Sequence, residues 1–139
     1  MLADLSSKLV NLPLESIDAA IESSLKSIVE FFEADRCHLG TFSDDQTKFV
    51  ISYFYSRPGI NIPPITGIGE DFLPFIYKSI KKDKLLAFTK ITEFPNNASH
   101  DKAVIEKMGI KSLLVLPLKI DNAIDFGLSL SAVRKHQEW

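Results

Sequence analysis

The sequence predicts an α+β fold, a central and mainly antiparallel sheet of five to six strands with helices on both faces. Three observations carry this prediction. First, residues 111–133, KSLLVLPLKIDNAIDFGLSLSAV, read as a β-hairpin: two apolar runs flank Asp121-Asn122, a pair that tolerates the left-handed backbone of a tight turn. In the first run Leu114, Leu116, Leu118 and Ile120 share one face while Leu113, Val115 and Pro117 share the other, because successive strand side chains point to opposite sides. A strand with one wet face would alternate apolar and polar, so this hairpin belongs in mid-sheet with cover above and below. Second, within residues 13–33, Ile17, Ile21, Leu25, Ile28, Val29 and Phe32 recur at three- and four-residue steps, the stripe of an amphipathic helix that covers one face. Third, the remaining elements alternate between the two types, which supplies the other layer.

In chain order, Leu2, Leu5, Leu9 and Leu12 are spaced 3, 4 and 3, as in a coiled-coil seam of under two heptads. The segment 1–12 is either an inter-domain or dimer helix, or a helix folded onto its own domain. Pro13 closes it and suits the first turn of the next helix. Residues 36–42 (RCHLGTF) and 48–55 (KFVISYFY) form a second hairpin across the polar loop 43–47. Residues 57–70 hold Pro58, Gly59, Pro63, Pro64, Gly67 and Gly69 and predict a long irregular connection. Pro74 opens a helix to about Lys82 with Phe75, Ile76 and Ile80 inward; residues 85–91 form a short strand, and residues 92–98, with Pro95, a loop. Ser99 is placed to cap a short helix ending at Gly109, a residue suited to the left-handed C-terminal position.

Size and composition set the class. At 139 residues, 45% hydrophobic and 24% charged, the chain fits a single globular domain that buries roughly 68% of its unfolded surface. No apolar run approaches the roughly 20 residues of a membrane span. The N-terminal residues lack the order of a signal peptide, and the single cysteine, Cys37, permits no internal disulfide, so a cytoplasmic setting is expected. A net charge of −2 and a pI near 5.9 leave no footprint for nucleic acid or anionic lipid. The run of Lys78, Lys81, Lys82 and Lys84 reads as a solvated helix end.

Three stretches resemble a GAF domain: NLPLESIDAAIESSLKSIVEFFEADRCHLGTFS, EDFLPFIYKSIKKDKLLAFTKITEFP and GIKSLLVLPLKIDNAIDFGLSLSAVRKHQEW. Together they cover nearly the whole chain, and the last, with Gly109, Ser112, Pro117-Leu118 and Gly127, is the most specific. The resemblance implies a profilin-like layered fold and a sensory or regulatory module that is not itself an enzyme. It also implies a bacterial signal-transduction setting such as a two-component sensor histidine kinase, a homodimer formed through terminal helices, and an output domain in the same longer chain. A PAS domain, the runner-up, would finish with three strands unbroken by a helix, whereas residues 99–108 intervene. GAF domains close with a long helix, which is expected to be truncated here at Trp139. The N-K-x-x-x-x-F-x-x-x-D-E signature of cyclic-nucleotide relatives is not reproduced by Asn96-Asn97 followed by Ser99, His100 and Asp101, so cyclic GMP is not expected.

Cys37-His38 draws attention because bilin-binding relatives attach chromophore through a cysteine often followed by histidine. Here the pair sits in the first strand, where adjacent side chains point to opposite faces and cannot act together. Cys37 is read as a buried core residue and a covalent bilin is not expected. One cysteine cannot complete the thiol exchange of methionine-sulfoxide-reducing relatives. His38, His100 and His136 are too scattered for a metal site, and there is no nucleophile elbow, P-loop or dinucleotide fingerprint. The resemblance turns the His38 face toward the ligand side, opposite the helix 13–33, with His38, Phe42, Phe54, Phe75, Phe88 and Val115 as candidate ligand-binding residues. Such a lining suits a planar apolar ligand, a haem or a heterocycle. The alternatives are that the aromatics fill the space and His38 is a satisfied core residue, and that the domain is a ligand-free dimerisation module.

Overall fold

The computed structural model describes residues 16–61, 65–120 and 123–139. The leucine-spaced segment 1–12, the helix start at Pro13 and the Asp121-Asn122 turn lie outside them. The described elements are α1 (Ile17–Phe32), β1 (Arg36–Phe42), β2 (Lys48–Ser56), β3 (Gly67–Gly69), α2 (Pro74–Lys81), β4 (Leu86–Phe88), α3 (Ser99–Lys107), β5 (Ser112–Ile120) and β6 (Ala123–Ala132). The six strands form one sheet in the order β3-β2-β1-β6-β5-β4, antiparallel at every pairing.

The helical stripe read from the sequence is the buried face of α1. Ile21, Leu25, Ile28 and Val29 pack on Cys37, Leu39, Leu114, Leu128 and Leu130. The helix stops at Glu33, whose left-handed backbone (φ 55°) turns the chain into β1. Tyr53 donates to the Asp18 carboxylate at 2.6 Å and fixes α1 over β2. The opposite sheet face is covered by α2, α3 and their loops, where Ile76, Ile80, Ile105 and Ile110 meet Leu113 and Val115. The hairpin β5–β6 is thus covered on both faces, with Leu114, Leu116 and Leu118 toward α1 and Leu113 and Val115 toward α2.

Four details depart from the sequence reading. The irregular connection 57–70 contains strand β3, which pairs with Lys48, Phe49 and Val50; two glycines around one isoleucine give little strand propensity, and the segment is ordered by its neighbour. The strand expected over 85–91 is only Leu86–Phe88, because the Glu93 carboxylate accepts the amides of Thr89 and Lys90 at 2.6 and 2.9 Å and draws the backbone into a 3-10 turn at Ile91–Glu93. Ser99 is the first residue of α3 rather than its cap. The capping carboxylate is Asp101, which reaches across to α2 and accepts Phe75 N and Ile76 N at 3.1 and 2.9 Å, donors left open where Pro74 starts the helix. Gly109 does adopt positive φ (78°) after α3. Finally, β2 is bulged: Leu39 pairs with Tyr53 but Gly40 with Ile51, so Ser52 is an extra residue. Beyond it, Phe49 and Ile51 face α2 where strict alternation would have turned them outward.

Where α1 meets β1, the Asp35 carboxylate accepts Val133 N (2.7 Å), Arg134 N (3.0 Å) and the Arg134 guanidinium, with Arg57 Nε 4.0 Å away. Burial alone would raise the Asp35 pKa, but these hydrogen bonds and the Arg134 charge outweigh it and hold the carboxyl below its usual value. The tail after β6 is tied further by Gln137 N to Ser112 Oγ (2.8 Å) and Trp139 Nε1 to Phe88 O (3.1 Å).

Candidate functional site

The site is built from one cross-strand row. His38 in β1 stands between Phe54 of β2 and Ser129 of β6, with Val115 of β5 beyond; in the next row Arg36 faces Ser131, with Leu113 beyond. All of these side chains point toward α2, because β6 alternates Leu128, Leu130 toward α1 with Ser129, Ser131 away from it. Between this patch and α2 lies a cavity of about 50 Å³ whose walls include Ile68, Leu73, Ile76, Ile105 and Val115. Phe49 closes one side by lying flat on two glycines paired across β1 and β6. A Cβ on Gly40 would sit 2.6 Å from Phe49 Cε1 and 2.4 Å from Val50 O, and one on Gly127 would sit 2.6 Å from Phe49 Cζ.

The polar lining of this cavity is His38, Ser129 and Ser131. Arg36 Nη2 lies 3.4 Å from His38 Nε2, and Ser129 Oγ lies 3.4 Å from His38 Nδ1. A guanidinium can only donate, so Nε2 accepts; a neutral ring then carries its proton on Nδ1 and donates to Ser129. Burial, with the adjacent Arg36 charge, pulls the His38 pKa down to about 4, so the ring is neutral at neutral pH. Burial also lowers the Arg36 pKa, but from so high a starting value that the group stays charged. Arg36 has zero exposure and stacks over Phe54 at 5.2 Å. Ser131 Oγ is buried without a hydrogen-bond partner among the described residues.

Of the residues singled out in the sequence, His38 and Val115 line the cavity. Phe54 lies beside it, tilted against His38 at 5.1 Å. Phe42 packs edge-on against Phe49 (5.3 Å) and Tyr77 (6.2 Å), one layer removed. Phe75 and Phe88 instead pack on Phe94, at 6.5 and 4.2 Å, in a separate aromatic stack. The reading missed Phe49 and Ile51, hidden by the bulge, and Ser129 and Ser131. The signal for the serines was present: LSLSA alternates in a strand that had to be covered on both sides.

Cys37 is fully buried on the α1 face, its pKa pushed up to about 12 by burial, and its sulfur does not face the cavity. At about 50 Å³ the cavity is far below the roughly 300–1,000 Å³ of sites for drug-sized ligands. Both ring nitrogens of His38 are directed at protein groups, Nε2 at Arg36 and Nδ1 at Ser129. Among the described residues no group of His, Cys, Asp and Glu is placed to hold a metal ion, and no helix is long and apolar enough to cross a membrane. A larger groove of about 600 Å³ beside β3, lined by Lys48, Val50, Thr66, Asp71 and Phe72 among others, is open to solvent and holds none of the buried polar groups.

No protein-family model matches the chain, and no curated protein matches it in sequence. Solved structures match it in fold. The GAF domain region of a Geobacter sulfurreducens PCA protein superposes with a TM-score of 0.69 at 13% identity, covering 99% of this chain and 84% of that one. The phycocyanobilin-bound GAF domain from a cyanobacterial phytochrome gives 0.73 at 16% identity, covering 99% and 81%. NreA from Staphylococcus aureus, mutated in its nitrate-binding site, gives 0.66 at 12% identity, covering 88% and 91%. The sheet order, the α1 layer and the α2 and α3 layer are therefore those of a GAF fold.

Proposed function

We propose that this GAF-fold domain is a sensory module that takes a small molecule into the cavity between the sheet and α2 and passes its occupancy to an output domain in a longer chain. The observation that carries this reading is the combination of an apolar cavity with an array of buried Arg36 and His38 and half-buried Ser129 at its wall, an expensive arrangement for a domain with nothing to recognise. The fold's known members span ligand sizes: one similar structure holds phycocyanobilin, and another is described by a nitrate-binding site. The volume here fits the small end of that range. The domain itself performs no chemistry in this reading. A bacterial sensor histidine kinase in the cytoplasm, dimerised through its terminal helices, is the setting that suits it. A ligand shifts such an output only through different affinity for two arrangements of the domain.

Native mass spectrometry beside the denatured mass tests the reading. An excess mass lost on denaturation, and reduced in occupancy by His38→Ala, supports it; agreement of the two masses with no small-molecule effect on unfolding rejects it. The second reading, a ligand-free dimerisation module, is favoured by the small cavity and by Phe31, which is 69% exposed on α1. A dimer in sedimentation velocity that Phe31→Lys dissociates would support that alternative.

A further inference from the structure

We infer that the cavity recognises a small planar oxyanion or carboxylate, held by the hydroxyls of Ser129 and Ser131 in the field of the buried Arg36 guanidinium. The inference rests on the sensory reading above and narrows its ligand class. Size comes first. A volume of about 50 Å³ accommodates roughly three to five water-sized atoms, at about 10–15 Å³ for each. Nitrate, formate and acetate are of that size.

Hydrogen-bond polarity comes next. Arg36 donates to His38 Nε2, His38 Nδ1–H donates to Ser129 Oγ, and the Ser129 O–H is left to donate onward. The array therefore delivers a donor at the cavity wall, with the Arg36 guanidinium at its far end. Ser131 Oγ, 2% exposed at the residue level and without a partner among the described residues, supplies a second hydroxyl one strand pleat away. Two hydroxyls two residues apart on one face of β6 can reach two oxygens of one planar group. A cationic or donor-only guest is disfavoured by the same geometry.

Charge is the third point. Among the described residues no carboxylate lines the cavity. The nearest in sequence, Asp35, lies at the strand start and is bound by Val133 and Arg134. A negative guest in the cavity thus meets a guanidinium behind a neutral imidazole and, among the described residues, no acidic group in the lining.

The test is thermal unfolding of the whole chain in sodium formate and in sodium nitrate against sodium chloride at the same ionic strength. The expected result is a Tm higher by about 5 °C at tenfold the dissociation constant of either anion. Ser131→Ala and Ser129→Ala should each weaken that binding about 10- to 100-fold, the effect of losing a hydrogen bond to a charged group. Two variants are used so that failure of one to fold leaves the other. Equal Tm in all three salts, or unchanged affinity in both variants, overturns the inference. Xenon, followed through the amide signals of Val115, Gly127 and Ser129, separates the two levels. Xenon binding without anion binding defeats the oxyanion class but leaves the sensory cavity standing, whereas neither guest binding defeats both.

Discussion

Replacing Ser131 by alanine should make the protein more stable. The Ser131 hydroxyl is buried with no partner among the described residues, and a hydroxyl withdrawn from water without a hydrogen bond costs about 1–3 kcal/mol. Deleting one oxygen enlarges the adjoining cavity by roughly 10–15 Å³, a cost of about 0.2–0.4 kcal/mol at 24 cal/mol per Å³. The balance favours the variant by about 1–2 kcal/mol, or about 3–5 °C in Tm for each kcal/mol in a domain of this size. Ser112 is the control. It is equally buried, but its hydroxyl donates to Thr89 O at 2.6 Å and accepts Gln137 N at 2.8 Å, so Ser112→Ala should lose about 1–3 kcal/mol. Equilibrium urea unfolding and calorimetry, in a buffer free of carboxylate and nitrate, measure both. If Ser131→Ala is destabilised by 1 kcal/mol or so in parallel with Ser112→Ala, the Ser131 hydroxyl is satisfied in the free protein and the reasoning fails.

Three other expectations follow from the geometry. His38 binds its proton less readily folded (pKa about 4) than unfolded (6.5), so between those values the unfolded chain holds more protons and stability falls as pH drops, by up to about 3 kcal/mol; urea titrations from pH 7 to 4 should show this slope in the native protein and a flatter one in His38→Asn. Gly127→Ala puts a Cβ 2.6 Å from the Phe49 ring and should cost about 1–3 kcal/mol while driving the ring into the cavity, seen as loss of xenon-induced amide shifts. Asp101→Ala strips α2 of both its N-terminal acceptors and should cost about 2 kcal/mol, with faster hydrogen exchange at Phe75 and Ile76 than in Asp101→Asn, which keeps one acceptor.

What could be read in the sequence was what local pattern determines. The stripe of α1, β1 to the residue at both ends, and the opposite faces of Leu113 and Leu114 follow from periods of 3.6 and 2 that no tertiary contact has to correct. Alternation said which residues share a face with His38 and with Val115, whereas the choice of that face as the ligand side came from the GAF resemblance. The aromatic lining was less legible because size and hydrophobicity do not say which of several neighbours a ring will choose. Phe75 and Phe88 found Phe94, a loop residue whose position depends on Glu93 capping the turn before it. Asp101 lies in the first turn of its own helix, yet its role belongs to a helix 25 residues away in sequence. The serines of β6 were passed over because a polar residue on a strand is usually turned to water. Only the observation that this strand has no wet face makes them conspicuous.

The bulge at Ser52 also governs how this chain can be compared with others. On β2, Phe54 and Phe49 face the same layer although they stand five positions apart, an odd interval that an unbroken strand would place on opposite sides. An alignment that runs through Ser52 without a gap, against a relative whose strand is regular, matches Phe49 and Ile51 with that relative's outward positions and Val50 with an inward one. Shifting the gap by a single residue changes little in any identity score. It does decide whether the side chain that closes the cavity is compared with its structural counterpart or with a residue on the other side of the sheet.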